Sequence, residues 1–238
     1  MKKTTKKILK RVLISIISLI GILFLSFYFY TLSYSRATKT DIEKVYQDNK
    51  SIITDDDLTI IAPPRDIDKN IGLIFYPGGK VEDIAYLPLL NQISQSGITC
   101  ILVKMPFNLA VFNLKAADDI YEKFPNIKSW YLSGHSLGGA MSSSYADENY
   151  NKLDGLILLA SYPLNEAPIK TISIYGSNDY VLDQTKLDNV INKVKIDGAN
   201  HANFGNYGVQ KGDGNATISR DEQQQITVKL ITDFILNK

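Results

Sequence analysis

Residues 127–149, IKSWYLSGHSLGGAMSSSYADEN, carry the pattern that decides the fold. The apolar run Ile127–Leu132 is typical of a buried strand, and Gly139–Asn149 is typical of a helix. Between them lies Gly134–His–Ser–Leu–Gly138, a G-x-S-x-G sequence. Glycines suit such a tight strand–turn–helix connection because larger side chains would collide there, and the turn presents the Ser136 hydroxyl at the end of the strand. This context favours a nucleophilic serine over the alternative, a turn with an incidental serine.

Strands and helices alternate on either side of this unit. Short apolar runs predict strands, and apolar residues three and four apart predict the helices between them. This alternation is typical of an α/β domain with a mostly parallel sheet and helices on both faces. The predicted strands are Leu58–Ala62, Ile71–Tyr76, Ile98–Lys104, Ile127–Leu132, Leu153–Ala160, Thr171–Tyr175 and Lys193–Ile196. The predicted helices include Ile84–Ser96, Leu114–Phe124, Gly139–Asn149, Asp183–Ile191 and a last helix starting at Ser219.

A serine hydroxyl needs a general base to attack a carbonyl carbon, and histidine is the most frequent one. The chain contains two histidines. His135 adjoins Ser136 in the turn, where its ring is expected to point away from the hydroxyl. His201 follows the predicted strand Lys193–Ile196, so it lies at the carboxyl end of the sheet and is the predicted base.

An acidic residue that orients the base is expected between the serine and the histidine along the chain. Asp179 comes just after the carboxyl end of the strand Thr171–Tyr175 and is the predicted residue. Asp183 is the second candidate, although helix capping suits it better. Asp154 precedes a strand and would lie at the opposite edge of the sheet. An ordinary turn aspartate is the alternative for Asp179.

Two backbone N–H groups are expected to bind the oxyanion of an acyl-transfer reaction. The first is that of Leu137, the residue after the serine. The second is predicted at Gly79, with Lys80 as a weaker candidate, because Pro77–Gly–Gly–Lys80 follows the early strand Ile71–Tyr76. Consecutive glycines let the backbone approach a substrate oxygen closely, whereas a plain β-turn is the alternative.

Four segments together resemble the family-5 domain of the α/β-hydrolases, a group related to the dienelactone hydrolases. They are Tyr76–Pro–Gly–Gly–Lys–Val81, Val103–Lys–Met–Pro–Phe–Asn–Leu109, Gly134–His–Ser–Leu–Gly–Gly–Ala–Met141 and Asn200–His–Ala–Asn–Phe–Gly205. The resemblance extends from about Leu58 to the C-terminus.

The resemblance implies an α/β-hydrolase fold with Ser136, Asp179 and His201 as a catalytic triad. Dienelactone hydrolases use a cysteine nucleophile where this chain has Ser136, so the resemblance does not imply a dienelactone substrate. Many α/β-hydrolases carry a helical lid after the sixth strand. Here only Ser161–Lys170 separates two predicted strands, which leaves no room for a lid domain.

The N-terminal part of the chain predicts a membrane anchor. Residues 1–11 carry six basic side chains, and residues 12–35 carry no charge. These 24 residues exceed the roughly 20 that a helix needs to cross a bilayer. The basic flank places the N-terminus in the cytoplasm and the rest of the chain outside. A cleaved secretory signal peptide is the alternative, although its apolar core is usually shorter.

Residues 36–57 are predicted to be a linker containing a short helix, and residues 58–238 to be the hydrolase domain. Beyond the first eleven residues, 20 basic and 25 acidic side chains give a formal charge of −5, which offers no basis for binding nucleic acid. Cys100 is the one cysteine, so no disulfide forms within the chain. Gly212–Asp–Gly214 has too few acidic residues for a cation-binding loop, and a flexible loop is expected there.

These features together predict a serine hydrolase that cleaves carboxylic esters at the outer face of a membrane. No metal or organic cofactor is required, and the expected substrate is a small-molecule or envelope-derived ester. Two alternatives use the same fold. One is an acyltransferase with the same triad, and the other is a catalytically idle, tethered binding module.

Overall fold

The computed structural model describes residues 3–165 and 167–237, which form two units divided between Tyr34 and Ser35. The first unit is one helix, α1 (Lys3–Leu32). Within it, residues Lys6–Leu32 are long and apolar enough to cross a membrane, and an 18-residue window of this stretch has a mean hydropathy of 2.6. A secretory signal sequence near the N-terminus can meet the same criteria of length and composition.

The second unit contains an eight-stranded sheet. The strands are β1 (Ile52–Asp55), β2 (Leu58–Ile61), β3 (Ile71–Tyr76), β4 (Ile98–Val103), β5 (Ser129–His135), β6 (Gly155–Leu159), β7 (Thr171–Gly176) and β8 (Lys193–Ile196). Their spatial order is β1-β2-β4-β3-β5-β6-β7-β8. The pairs β1–β2 and β2–β4 are antiparallel, and all the other pairs are parallel. The carboxyl ends of β3 to β8 therefore lie at one edge of the sheet.

Helices cover both faces of this sheet, as the alternating pattern predicted. One face carries α2 (Lys39–Asp48), α3 (Leu87–Ser94) and α6 (Arg220–Leu236), and the other carries α4 (Asp118–Lys123) and α5 (Leu137–Asn149). Successive residues of a strand point to opposite faces, so Leu73 and Phe75 of β3 pack on the first side and Ile74 and Tyr76 on the second. All four side chains are fully buried. The predicted α/β fold with a mostly parallel sheet is confirmed.

Strand β1 and the predicted helix Asp183–Ile191 differ most from the sequence-based prediction. Strand β1 was not predicted, because it lies at the edge of the sheet and is mostly exposed, so that burial imposes little pattern on its sequence. The predicted helix Asp183–Ile191 is wrong beyond one short turn, Gln184–Leu187. Asp183 caps that turn, since its carboxylate accepts hydrogen bonds from the Thr185 N–H at 3.2 Å and the Thr185 hydroxyl at 2.6 Å. Three residues of low helix propensity follow at positions 188–190.

The connection between β5 and α5 depends on a close approach of two backbone segments. The start of α5 lies so near the end of β3 that a Cβ atom on Gly138 would be 2.2 Å from the Tyr76 carbonyl oxygen. A Cβ atom on Gly134 would be 2.5 Å from the Gly138 carbonyl carbon. Both contacts are too short to exist, so only glycine fits at these two positions. This packing brings the turn at Ser136 beside the loop that follows β3.

The substitution Gly138→Ala tests this constraint. Because the opposing atoms belong to the backbone and cannot rotate away, we expect a loss of about 3 kcal/mol or more in the free energy of unfolding, measured by urea denaturation. Gly212→Ala is the matched control: nothing lies within 4 Å of the added Cβ, and only the positive φ of 88° is unfavourable. The control should cost about 1 kcal/mol. Equal losses in the two variants would contradict the proposed close approach.

Candidate active site

Ser136 occupies a strained turn at the carboxyl end of β5. Its backbone angles are φ 53° and ψ −120°, a combination that side-chain-bearing residues rarely adopt. Two backbone hydrogen bonds hold it: the Ser136 N–H donates to the Leu159 carbonyl at 2.9 Å, and the Ser136 carbonyl accepts from the Ala140 N–H at 3.0 Å. The side chain is half-buried. The turn thus has the geometry that the G-x-S-x-G sequence predicted.

Asp179 and His201 form a buried pair beyond the ends of β7 and β8. His201 Nδ1 lies 2.9 Å from Asp179 Oδ2, and each residue is 1% exposed. The other carboxylate oxygen, Oδ1, accepts hydrogen bonds from the N–H groups of Val181 at 3.0 Å and Leu182 at 2.8 Å. Both oxygens of Asp179 are therefore engaged. When Nδ1 carries the proton, the neutral His201 ring presents Nε2 as a proton acceptor.

The remaining ring nitrogen of this pair is unsatisfied. Across residues 3–165 and 167–237, His201 Nε2 is buried and has no hydrogen-bond partner. The structure therefore joins Asp179 to His201 but does not hydrogen-bond the Ser136 hydroxyl to His201. A buried acceptor without a donor is unfavourable by itself, and catalytic sites are a setting in which such groups occur. Catalytic hydrogen bonds are often long without substrate and shorten when substrate binds.

Asp213 fixes the loop that carries His201, a role that the sequence did not reveal. Its carboxylate accepts hydrogen bonds from the N–H groups of His201 at 3.2 Å and Ala202 at 2.9 Å. From α6, the Gln223 side chain bonds the Asn200 backbone twice, at 3.0 Å to the N–H and 2.8 Å to the carbonyl. The flexible loop expected around Gly212–Asp–Gly214 is instead tied to His201. The sequence feature that could have indicated this role is the acidic residue flanked by two glycines.

His135 connects three loops of the site instead of contacting the serine hydroxyl. Its Nε2 lies 3.1 Å from the His201 carbonyl oxygen, so Nε2 carries the proton and donates it. Burial lowers the pKa of His135 well below its usual value, the neighbouring His201 ring lowers it further by electrostatic repulsion between the protonated forms, and the His135 ring is neutral. Its Nδ1 is therefore an acceptor, and the Tyr86 hydroxyl donates to it at 2.8 Å. The same hydroxyl accepts a hydrogen bond from the Gly78 N–H at 3.1 Å.

The loop after β3 offers one uncommitted backbone donor. The Gly78 N–H is bonded to Tyr86, and the Lys80 N–H donates to the Asn108 carbonyl at 2.7 Å. Between them, the Gly79 N–H has no acceptor among the described residues. Gly79 also abuts Leu137, since a Cβ atom on Gly79 would lie 2.7 Å from Leu137 Cδ2. Leu137 begins α5, and the first N–H groups of a helix have no intrahelical acceptor.

These contacts favour Gly79 over Lys80 as the second oxyanion donor. The N–H groups of Gly79 and Leu137 belong to residues in contact, and both can bind a substrate oxygen beside Ser136. No cluster of three or more metal-ligating side chains occurs in the part of the chain that the structure describes. Asp213 in particular directs its carboxylate to backbone N–H groups.

The neutral state of His135 predicts a dependence of stability on pH. The unfolded chain binds a proton on His135 below about pH 6.5, whereas the folded chain does not, so stability falls as pH drops from 6.5 towards the folded-state pKa. We expect the free energy of unfolding to decrease more steeply between pH 7 and pH 5 than in His135→Gln. The excess slope should be of order 1 kcal/mol per pH unit. Denaturant titrations at pH 7, 6 and 5 measure it, and equal slopes would show that His135 is not kept neutral.

Comparisons with known proteins agree on the fold. No curated protein matches the chain in sequence. Among solved structures, an α/β serine hydrolase without a lid from Xanthomonas campestris has a TM-score of 0.55 at 12% identity and covers 76% of this chain and 89% of its own. A dienelactone hydrolase from Anabaena variabilis has a TM-score of 0.56 at 14% identity, covering 75% and 90%. A monoacylglycerol lipase from Paleococcus ferrophilus has 0.55 at 13%, covering 77% and 99%.

A sequence profile covers the region that contains every predicted site residue. Residues 72–225, more than half of the chain, match the profile of the Alpha/beta hydrolase family. This range begins in β3 and ends within α6, so it contains the turn at Ser136, the Asp179–His201 pair and the loop at Gly79. The chain belongs to the α/β-hydrolase family.

Proposed function

We propose that the protein is a serine hydrolase that cleaves carboxylic esters with Ser136, His201 and Asp179 as its catalytic triad. Membership of a hydrolase family supports the reaction class. The observation that carries the proposal is the buried His201–Asp179 pair. It leaves Nε2 of His201 as a proton acceptor without a partner among the described residues, at the same edge of the sheet as the strained serine turn.

The reaction would begin with the transfer of the Ser136 proton to His201 Nε2 as Oγ attacks the ester carbonyl carbon. The carbonyl π electrons move to the oxygen, and the N–H groups of Gly79 and Leu137 stabilise that oxyanion. Asp179 stays ionised and stabilises the imidazolium through Nδ1–H.

Collapse of this intermediate breaks the bond between the carbonyl carbon and the alcohol oxygen. The leaving alkoxide takes the proton from His201 Nε2, and an acyl-Ser136 ester remains. A water molecule then gives one proton to His201 and attacks the acyl carbon. The second collapse returns that proton to Ser136 and releases the carboxylic acid.

The substrate that we propose is a small-molecule or envelope-derived ester outside the membrane. The candidate membrane span Lys6–Leu32 and the six basic side chains among residues 1–11 support a tethered enzyme with an extracytoplasmic domain. Only residues 160–170 join β6 to β7, and the described residues of that loop form no helix. An open site of this kind suits esters with varied alcohol groups. Similar folds occur in a monoacylglycerol lipase and a dienelactone hydrolase.

A fluorophosphonate probe tests the nucleophile directly. The full-length protein in detergent should be labelled covalently, and Ser136→Ala should lose both labelling and hydrolysis of p-nitrophenyl esters. Ser144 is a half-buried serine on α5, the helix that follows Ser136. Ser144→Ala is the matched control and should retain both labelling and hydrolysis. Folded wild-type protein that is neither labelled nor hydrolytic would favour an idle binding module. Labelling with ester consumption that requires an added alcohol would favour an acyltransferase.

The substitution Asp179→Asn tests the orientation of the base. An asparagine amide donates to Nδ1 and so favours the His201 tautomer with the proton on Nε2, which cannot accept the serine proton. We expect kcat for a p-nitrophenyl ester to fall by about 10³- to 10⁴-fold. Asp183→Asn, whose carboxylate caps the turn at Thr185, should leave kcat within twofold of the wild type. A similar fall in both variants would remove Asp179 from the triad.

A further inference from the structure

The segment that begins at Ser35 is hydrogen-bonded to the loop that follows Gly79. Ser35 pairs with Val81 as an isolated parallel bridge. Its N–H donates to the Lys80 carbonyl at 2.8 Å, and its carbonyl accepts from the Glu82 N–H at 2.9 Å. These bonds lie one to three residues beyond Gly79, the proposed oxyanion donor. The segment precedes the region matched to the hydrolase family by more than thirty residues.

Glu82 joins the same segment a second time through its side chain. Its carboxylate oxygen Oε2 accepts a hydrogen bond from the Ala37 N–H at 2.8 Å. On the other side of the loop, the Lys80 N–H bonds to Asn108 at 2.7 Å. The backbone on either side of Gly79 is therefore held from two directions, and Ser35–Ala37 provides one of them.

The segment continues from the oxyanion loop to the loop that carries His201. The Thr38 N–H donates to the Asn206 carbonyl at 2.7 Å, and the Asn206 side-chain amide donates to Asp41 Oδ2 at 2.7 Å. Arg220 also bonds this Asp41 oxygen, at 3.2 Å. Asn206 lies five residues after His201, and its own N–H bonds to the Ala85 carbonyl at 2.7 Å. One short stretch of chain thus contacts both loops that the proposed mechanism uses.

We propose that Ser35–Asp41 is a clamp that positions the oxyanion loop and the His201 loop, with Glu82 as a positioning residue. The inference rests on the proposed ester hydrolysis, because it assigns the Gly79 N–H a role in binding the oxyanion. Small displacements of such a donor reduce transition-state stabilisation strongly.

The clamp has a consequence for N-terminal processing of the protein. Cleavage after Ser35 or after Ala37 would remove the hydrogen bonds from Ser35 that hold the loop. The active protein therefore keeps Ser35, and its N-terminus lies upstream of that residue.

Three variants of Glu82 in the full-length protein distinguish two properties of this side chain: the position of its hydrogen-bond acceptor and its negative charge. Glu82→Gln keeps the length of the side chain and an amide oxygen for the Ala37 N–H, so kcat for a p-nitrophenyl ester should stay within twofold. Glu82→Asp keeps the charge but withdraws the acceptor, and Glu82→Ala removes it. For these two we expect kcat to fall by about 10-fold with KM nearly unchanged, because an oxyanion donor acts on the transition state. The rate of fluorophosphonate labelling should fall in parallel.

Asp154→Ala is the matched control for a purely structural carboxylate. Asp154 accepts a hydrogen bond from the Trp130 N–H at 3.0 Å, at the opposite edge of the sheet. Its loss should lower the melting temperature and leave kcat within twofold. If Glu82→Ala does not fold, Glu82→Asp and Glu82→Gln still provide the comparison. Equal kcat values in Glu82→Asp and Glu82→Gln would overturn the proposed clamp. So would a kcat in Glu82→Asp that equals that of the wild type.

The N-terminus of the active protein provides a second, independent test. Mass spectrometry of the labelled protein from membranes and from the medium should find Ser35 retained in every active species. Fully active protein that begins at Arg36 or later would overturn the proposal. A wild-type protein that is folded but unlabelled would instead refute the proposed function. A labelled wild type whose Glu82 variants behave alike refutes the clamp alone.

Discussion

The packing of α5 against the end of β3 is the constraint on which the rest of the site depends. Gly138 and Gly134 have no space for a side chain, so the backbone between them turns sharply and forces Ser136 to a positive φ. This strain cannot relax while β5 remains in the sheet and α5 remains on its face. The same contact places the first N–H of α5 next to the loop after β3. The proposed nucleophile and the proposed oxyanion donors are thus positioned by a single steric requirement.

A buried polar network extends this rigidity to the loops. The Gly78 N–H, the Tyr86 hydroxyl, the His135 ring and the His201 carbonyl form an unbroken series of hydrogen bonds. Burial raises the pKa of Tyr86, so its hydroxyl keeps the proton that this series needs. Such a network is stable only when every member has a partner, and each of the four groups has one. The proposed oxyanion loop and the proposed base are therefore held by one network, although they come from distant parts of the chain.

The features of the site that could be predicted from the sequence are those encoded by a few neighbouring residues or by residue type and order along the chain. The turn at Ser136 is encoded within five residues, and the Asp179–His201 pairing followed from the scarcity of histidines and from chain order. Tyr86 lies 49 residues from its partner His135, and no pattern in the sequence links the two. Asn206 and Asp41 are 165 residues apart, and their contact exists only once the sheet has formed. The exposed edge strand β1 escaped prediction because burial leaves little imprint on it.

The proposed mechanism also requires that the His135 ring is neutral. Its ring centroid lies 4.6 Å from that of His201, close enough for a second positive charge to oppose the imidazolium of the proposed mechanism. Burial prevents that charge, since a protonated His135 would have to be accommodated without any carboxylate partner among its hydrogen bonds. The neutral ring still donates through Nε2 and accepts through Nδ1, so it supports the His201 loop without competing for the negative charge of Asp179. A histidine beside the nucleophile is therefore compatible with the proposed triad only because it is buried and neutral.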